Sequence, residues 1–358
     1  MNTLSLFAGG GGLDLGFSAA GYKICCSSDI DSFSCKTLEI NQNKTNYFKS
    51  HPVICGDIKG IPSNKFKELA GNKEIDFVIG GPPCQAFSVF GKRKGLEDPR
   101  GSLVFEYVRI IKELNPKGFL FENVAGLKTI HGGSLFTELL EVLSFKGKYN
   151  ISAHEYDVAE YGVPQFRKRV FIIGHQSKKK IPKMPSNHTK PETLFNGHKP
   201  YKTVGMTLTD MPEPITSWNS EPNLDSHVGR KHSQRIINRY AGLKFRERDP
   251  NTRINKLDPN RPSYTIIVGS DKGGGKGHVH PYSPREVTPR ESARIQTFPD
   301  WWEFYGTGRH VIRQVGNAVP PLFAAQLGAY LRNEILGEKT KLDYNHFVKK
   351  LKLTFLRE

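Results

Sequence analysis

The first 174 residues alternate short apolar strands with stretches of helical periodicity, and this alternation restricts the fold more than any other feature. Predicted strands cover residues 3–7, 22–28, 52–55, 75–79, 118–121, 170–174 and, further along, 263–268. Alternating β and α elements predict an α/β fold with a doubly wound, mainly parallel sheet. Because such sheets bind ligands at the carboxyl ends of their strands, the polar residues that directly follow strands are the first candidates for a site.

The alternation stops near residue 175, and residues 175–260 are rich in Pro, Asn, His, Lys and Arg. We therefore predict a ligand-binding domain formed by residues 1–174 and completed by 305–345. A smaller, loop-rich domain is expected over 175–304, followed by a basic tail over 346–358.

Two helices are predicted near the C-terminus. Thr288 is expected to cap the first, with Pro289 at its first position, Glu291 three residues after the cap and Pro299 at its end. The second covers residues 321–336 and is apolar enough to pack on the sheet.

The formal net charge of +17 favours a polyanionic partner, nucleic acid before membrane. Residues 175–260 contribute sixteen Lys and Arg against eight Asp and Glu, although a charge excess can also serve solubility alone. No apolar run approaches the ~20 residues of a membrane span, and the N-terminus lacks the pattern of a signal peptide. We expect a cytosolic protein.

The five cysteines are Cys25, Cys26, Cys35, Cys55 and Cys84, and none belongs to a C-x-x-C pair. This spacing argues against a disulfide framework and against a metal site. Cys84 differs from the others because two prolines precede it and a polar run follows. Taken alone, that pattern is more often a structural turn with an inert thiol.

A glycine run at residues 9–12 follows the first strand, and Asp29 lies nineteen residues beyond Gly10. That offset suits an acid that hydrogen-bonds a ribose. The third glycine of a dinucleotide-binding turn is replaced by Asp14, which we expect to repel a pyrophosphate. The turn therefore favours S-adenosylmethionine over NAD, with a purely structural turn as the alternative. Asp57 ends the third strand and suits either an adenine amine or a helix cap.

A second glycine cluster resembles a phosphate-binding loop at Gly275 and Lys276. The Walker pattern fails because Ser270 replaces its first glycine and Gly277 replaces its Ser or Thr. We interpret it as a flexible basic loop suited to a sugar–phosphate backbone.

Six short blocks occur in a fixed order along the chain: Phe7-Ala8-Gly9-Gly10-Gly11-Gly12, Gly80-Gly81-Pro82-Pro83-Cys84-Gln85, Glu122-Asn123-Val124, Gln165-Phe166-Arg167-Lys168-Arg169, Arg290 to Asp300, and Gly316-Asn317-Ala318-Val319-Pro320-Pro321. Together they resemble the signature blocks of the bacterial cytosine-C5 DNA methyltransferases of restriction–modification systems. The resemblance covers residues 3–174 and 262–330. Residues 175–260 lie where members of that family carry a variable target-recognition segment.

The resemblance implies a nucleophilic mechanism. Cytosine C5 is a poor nucleophile, and a thiolate that adds to C6 converts the ring into an enamine. The resemblance assigns this thiolate to Cys84, with Arg167 as the candidate that activates it and Arg169 as its neighbour in the same block. Glu122 would act as an acid at N3, which requires burial to raise its pKa. Asn123 would hold the surrounding loop.

The resemblance also implies S-adenosylmethionine as cofactor, S-adenosylhomocysteine as product and duplex DNA as substrate, with the target base flipped out of the helix. Residues expected to bind the cofactor are Phe7, Ala8, Gly9, Gly11, Gly12, Asp29, Ile30, Asp57, Ile58, Gly81, Pro83, Leu103, Asn317 and Ala318. Residues expected to contact DNA are Gln85, Ser88, Arg230, Lys231, Arg235 and Arg239. We expect a monomer, with a restriction endonuclease as a possible separate partner.

Three alternative functions remain, one with the same chemistry and two from other classes. An RNA cytosine methyltransferase of one group needs a Thr-Cys nucleophile, and a tRNA-directed branch carries Cys-Phe-Thr, whereas this chain has no cysteine after Cys84. A silent DNA-binding module would not need Glu122 or the arginines. A nicotinamide-dependent oxidoreductase lacks its glycine motif. Departures from the family pattern are Ser5, where many members have Asp, and Ala318, where some have Ser.

Overall fold

A seven-stranded sheet in the order β3-β2-β1-β4-β5-β7-β6 forms the centre of the computed structural model. Its strands are β1 Asn2–Leu6, β2 Lys23–Asp29, β3 Val53–Cys55, β4 Phe77–Gly80, β5 Gly118–Val124, β6 Asn150–Asp157 and β7 Lys168–His175. Strands β1 to β5 pair in parallel, and only β7 runs antiparallel to its neighbours β5 and β6. This confirms the predicted mainly parallel α/β fold.

The structure describes residues 1–83, 102–177, 179–191, 197–217, 220–266, 268, 277–340 and 343–356. Cys84, Gln85, Ser88 and the glycine cluster around Lys276 lie outside the described residues.

Helices cover both faces of the sheet. Their bounds are α1 Gly12–Ala19, α2 Ser32–Asn41, α3 Ser63–Leu69, α4 Ser102–Leu114, α5 Ser134–Ser144, α6 Val204–Leu208, α7 Gln234–Gly242, α8 Pro289–Ile295, α9 Gly308–Asn317, α10 Pro321–Leu336 and α11 Tyr344–Leu351. One apolar cluster contains side chains of α1, α10 and α11, and a second contains those of α3, α4 and α5. None of the helices in the described ranges combines the length and apolar character of a membrane span.

Close packing of α1 against α10 joins the two ends of the chain. A Cβ atom on Gly16 would lie 2.4 Å from the Cβ of Ala324, so only glycine permits this approach. A Cβ atom on Gly12 would likewise lie 2.1 Å from the carbonyl oxygen of Val319. The segment around residue 318 is therefore pressed against the glycine turn that follows β1.

Several predicted elements need correction. Strand β6 was not predicted, and residues 263–266 form only an isolated bridge, between Ser263 and Gln165, instead of a strand. The capping box at Thr288 is confirmed, but helix α8 ends at Ile295, before Pro299. The bounds of α10 agree with the prediction.

The hydrophobic clusters do not follow the predicted domain boundary closely. Ala293, Phe298 and Trp302 belong to the main core, although they precede the expected boundary at residue 304. A separate small core contains Tyr240, Leu243, Ile254 and Val279. The basic tail is not a loose extension, because the apolar side of α11 is buried in the main core.

Candidate active site

A cavity of about 580 Å³ opens at the carboxyl edge of the parallel strands. Its lining includes thirteen of the fourteen residues predicted to bind the cofactor: Phe7, Ala8, Gly9, Gly12, Asp29, Ile30, Asp57, Ile58, Gly81, Pro83, Leu103, Asn317 and Ala318. Gly11 faces the core instead, where a Cβ atom would lie 2.7 Å from the Trp302 ring. Lining residues that the sequence analysis did not single out include Asp31, Ser34, Gly56, Arg313 and Gln314.

The glycine turn after β1 is held by Asp29. Gly9 has a φ of +55°, and its N–H donates to Oδ2 of Asp29 at 2.7 Å. The other carboxylate oxygen accepts from the N–H of Asp31 at 2.9 Å. Burial raises the pKa of Asp29, and the two backbone donors oppose that rise. Asp29 thus fixes the turn as well as lining the cavity.

Asp57 is a cap, one of the two roles that its position suggested, and it also lines the cavity. Its Oδ1 accepts from the N–H of Lys59 at 3.1 Å and so caps the helical turn Ile58–Gly60, while the residue also lines the cavity. Nearby Ile30 is 71% exposed, which leaves an apolar side chain on the cavity wall available to a ligand.

Asp14 does not face a ligand. Its carboxylate is fully buried and accepts from the hydroxyls of Ser5 and Ser27, each at 2.5 Å. The prediction that Asp14 repels a pyrophosphate is therefore wrong, because the carboxylate is bound to β1 and β2 and does not line the cavity. Ser5 stands where many members of the similar family have Asp. Its hydroxyl is one of the two donors to the buried Asp14 carboxylate, which explains the serine at this position.

Glu122 lies two residues before the end of β5, and its buried carboxyl group lines the cavity. A Cβ atom on Gly81 would lie 2.6 Å from Oε2 of Glu122, so a glycine at position 81 gives the carboxyl group its space. Its Oε1 lies 3.1 Å from Nε of Arg169. Burial raises the pKa of Glu122, and the positive charges of Arg169 and Arg167 oppose this shift. The group is thereby kept closer to protonation than an exposed glutamate.

The two arginines of the 165–169 block have different surroundings. Arg169 lines the cavity and pairs with Glu122. Arg167 is fully buried, and in the described part of the chain no group accepts a hydrogen bond from its guanidinium. Burial, followed by the charge of Arg169, lowers the pKa of Arg167 to about 9, so it still carries a proton at neutral pH.

Asn123 connects β5 to the segment before Cys84. Its Nδ2 donates to the carbonyl oxygen of Pro82 at 3.0 Å, and its Oδ1 accepts from the N–H of Val124 at 2.9 Å. Pro83, which precedes Cys84 in the sequence, lines the cavity.

A pair of buried glutamines supports the site from behind. The side-chain nitrogen of Gln165 donates to the side-chain oxygen of Gln296. Nε2 of Gln296 in turn donates to the carbonyl oxygens of Val315 and Ala318, at 2.9 and 2.8 Å. The N–H of Ile266 donates to Gln165 at 3.2 Å. Three of the six sequence blocks are therefore tied together by side-chain amides.

The lining favours a positively charged ligand over a phosphate-bearing one. Its ionisable groups are four acids and two arginines: Asp29, Asp31, Asp57, Glu122, Arg169 and Arg313. Each arginine pairs with one of these acids, so the described lining offers no unpaired cation to a pyrophosphate. The volume lies within the roughly 300–1,000 Å³ of small-molecule sites, and the space beside Gly9 and Gly56 is open. These features fit an S-adenosyl compound better than a dinucleotide.

The residues expected to contact DNA do not share one environment. Lys231 and Arg235 are exposed. Arg230 is half-exposed, with Nη1 3.4 Å from Glu286. Arg239 is largely used inside the protein, because its Nε lies 2.5 Å from the buried carboxylate of Asp249.

Comparisons with known proteins agree with this geometry. The family model described as C-5 cytosine-specific DNA methylase matches residues 1–333. The chain is 31% identical to Type II methyltransferase M.XorII of Xanthomonas oryzae pv. oryzae, over 94% of this chain and 86% of that protein. It is 34% identical to Type II methyltransferase M.NgoFVII of Neisseria gonorrhoeae, over 90% and 84% of the two chains.

A solved structure described as a DNA modification methyltransferase encoded within an E. coli prophage superimposes with a TM-score of 0.75. The superposition covers 94% of this chain and all of that chain, at 29% identity. With the matching sheet, the cavity and the ordered sequence blocks, these similarities show that the chain belongs to the C-5 cytosine-specific DNA methylase family.

Proposed function

We propose that this DNA cytosine-C5 methyltransferase uses Cys84 as nucleophile, Glu122 as acid and S-adenosylmethionine as methyl donor. The observation that carries the proposal is the buried carboxyl of Glu122, which faces the same cavity as the Asp29 turn. Pro83, the residue before Cys84, lines that cavity too. Methyl donor, acid and nucleophile are thus assigned to one compartment.

The cofactor would be held by the strand ends and by α9. We assign the ribose to Asp29, one face of the adenine to Ile30, and the adenine amine to Asp57, with Asn317 on the opposite wall. When bound, S-adenosylmethionine supplies a methyl group on a positively charged sulfur. The acidic lining suits that charge.

In the reaction, the Cys84 thiolate forms a bond to C6 of a flipped cytosine, and electron density moves toward N3. Glu122 shares or donates its proton at N3, so negative charge does not accumulate on the ring. C5 then carries the nucleophilic electron pair and takes the methyl group. A base, which we take to be water or hydroxide, removes the C5 proton, and Cys84 leaves by elimination.

Arg169 and Arg167 would stabilise different groups of the site. Arg169 holds the Glu122 carboxyl through the 3.1 Å contact and orients it toward the cavity. Arg167 places a buried positive charge close to Glu122, and we assign it to the stabilisation of the thiolate. Asn123 fixes the backbone at Pro82 and would thereby restrain the position of the nucleophile.

We propose duplex DNA as the substrate and the cytosol as the place of action. Of the four described residues predicted to contact DNA, Lys231 and Arg235 remain candidates for phosphate contact because they are exposed. Gln85 and Ser88, which lie outside the described residues, stay proposed as DNA contacts. Arg239 is withdrawn from this group because Asp249 engages its guanidinium.

The biological role that we propose is modification within a restriction–modification system. The support is the naming of similar chains as Type II methyltransferases, at 31 and 34% identity. Bisulfite sequencing of DNA from cells that express the chain should show methylcytosine at a single short sequence. Methylation scattered without a shared sequence would contradict this role.

The mechanism is tested with labelled S-adenosylmethionine and either duplex DNA or tRNA. We expect label on DNA only, and a covalent complex with DNA that carries 5-fluorocytosine at the target. The Cys84→Ser variant should form no such complex while still binding S-adenosylhomocysteine. Label on tRNA alone would refute the DNA assignment, and normal transfer by Cys84→Ser would refute the nucleophile.

A further inference from the structure

An ion pair joins two walls of the cofactor cavity that are far apart in sequence. Nη2 of Arg313 on α9 lies 3.1 Å from Oδ1 of Asp31, which directly precedes α2. Both residues line the cavity, and their side chains are 41% and 21% exposed. The pair therefore lies on the solvent-facing side of the cavity.

Stacked aromatic rings reinforce the same contact. The Phe33 ring packs against His310 and Tyr305, with centroid distances of 3.6 and 5.9 Å. Gly306 makes this possible, since its φ is +116° and a Cβ atom there would lie 2.7 Å from the Phe33 ring. In addition, the N–H of Tyr305 donates to Oγ1 of Thr37 at 2.9 Å. Helix α2 and the segment 305–313 thus form one clamped unit.

Hydrogen bonds carry the effect of the ion pair to the proposed ribose acid. The N–H of Asp31 donates to Oδ1 of Asp29, whose Oδ2 accepts from Gly9. The carboxylate of Asp31 is further oriented by the Ser34 hydroxyl, which donates to Oδ2 at 2.9 Å. A displacement of Asp31 would therefore disturb Asp29 and the glycine turn.

We propose that Arg313 is a positioning residue for the cofactor. Through Asp31 it fixes the distance between the Asp29 turn and the α9 wall that ends at Asn317, and this closure slows the departure of a bound S-adenosyl compound. The proposal rests on the assignment of the cavity to S-adenosylmethionine. An exposed ion pair adds little to folding stability, so we expect its effect in ligand binding instead of in the melting temperature.

Equilibrium and stopped-flow binding of S-adenosylhomocysteine to the full-length protein test this without any catalytic step. Arg313→Gln and Asp31→Asn should each raise Kd by about 3–10-fold, mainly through faster dissociation. The double variant should bind no more weakly than the weaker single variant, because both changes remove the same contact. Arg313→Lys should restore affinity to within about twofold.

A matched control is Lys36→Gln, which removes an exposed ion pair with Glu39 on the same helix α2, outside the cavity lining. It should leave binding unchanged. In methyl transfer, Arg313→Gln should raise KM for S-adenosylmethionine and leave kcat within about twofold.

Two results would overturn the proposal. If Arg313→Gln weakens binding but Asp31→Asn does not, Arg313 contacts the ligand directly and the ion pair is irrelevant. If neither variant changes Kd or dissociation, the contact is only a surface pair. If the wild-type protein does not bind S-adenosylhomocysteine at all, the assignment of the cavity to an S-adenosyl compound is itself refuted.

Discussion

The cofactor cavity and the region of the small core use their charged residues in different ways. In the cavity, charged side chains converge because parallel strands end at one edge, and Asp29, Asp57 and Glu122 line a single space. Around the small core, basic residues are distributed between internal pairing and solvent, as Arg239 and Arg235 show. Position at a strand end therefore predicts which residues line one cavity far better than positive charge predicts which residues are exposed.

The strongest test of this contrast changes a strand-end acid. Glu122→Gln removes the transferable proton but keeps the size of the side chain, so single-turnover methyl transfer should fall by about 10²–10⁴-fold. Glu113→Gln, at an exposed position on α4 that pairs with Arg109, is the control and should keep full activity. If Glu122→Gln keeps at least half the normal rate, the location of an acid at the carboxyl edge of the sheet does not identify the proton donor.

The pH dependence of the same step sharpens the assignment. Burial raises the pKa of Glu122, and the protonated form is the active one in the proposed mechanism. Protonation of Glu122 should therefore maintain the rate below its raised pKa. Above that pKa, deprotonation of Glu122 should lower the rate by about tenfold per pH unit. This decrease should be absent in Glu122→Gln. An identical alkaline limb in both proteins would assign it to another group.

A third test addresses the internal pairing in the region of the small core. Arg239→Ala should lower the free energy of unfolding by about 1–3 kcal/mol, because the buried carboxylate of Asp249 loses its cation. Arg235→Ala should change stability by less than about 0.5 kcal/mol. Chemical denaturation measures both, and equal losses would remove the distinction between internal and exposed arginines.

The smallest expected effect concerns affinity for DNA. Lys231→Ala and Arg235→Ala should each weaken binding to all duplex sequences alike and reduce the slope of log K against log salt by about one. Lys65→Ala, at an exposed position on α3 that pairs with Glu68, is the control. Unchanged salt slopes in both test variants would exclude these residues from phosphate contact.

Much of the fold was predictable because the central strands are buried on both faces and read as continuous apolar runs. Strand β6 escaped prediction because its buried positions, Ser152 and Tyr156, give no apolar alternation at this edge of the sheet. The predicted strand at 263–268 has the right residue types. It nevertheless packs beside Gln165 through an isolated bridge, which only the tertiary arrangement determines.

The cofactor lining was predictable wherever a strand ends in a polar or small residue. Arg313 gave no such signal, because it lies inside a helix and its partner Asp31 is distant in sequence. The orientation of the Asp14 side chain could not be inferred either, because the two serine hydroxyls that donate to its carboxylate come from β1 and β2. The pairing of Arg239 with Asp249 escaped prediction for a related reason, because the loop that places Asp249 beside it has no periodic pattern.

The cavity has one wall from the first 83 residues and another from α9 and the residues after it. The glycine turn and Cys84 are synthesised long before the opposite wall. A chain interrupted before α9 would thus carry the nucleophile but only half of the donor pocket. Truncation before α9 should therefore abolish methyl transfer, although the shortened chain still contains Cys84.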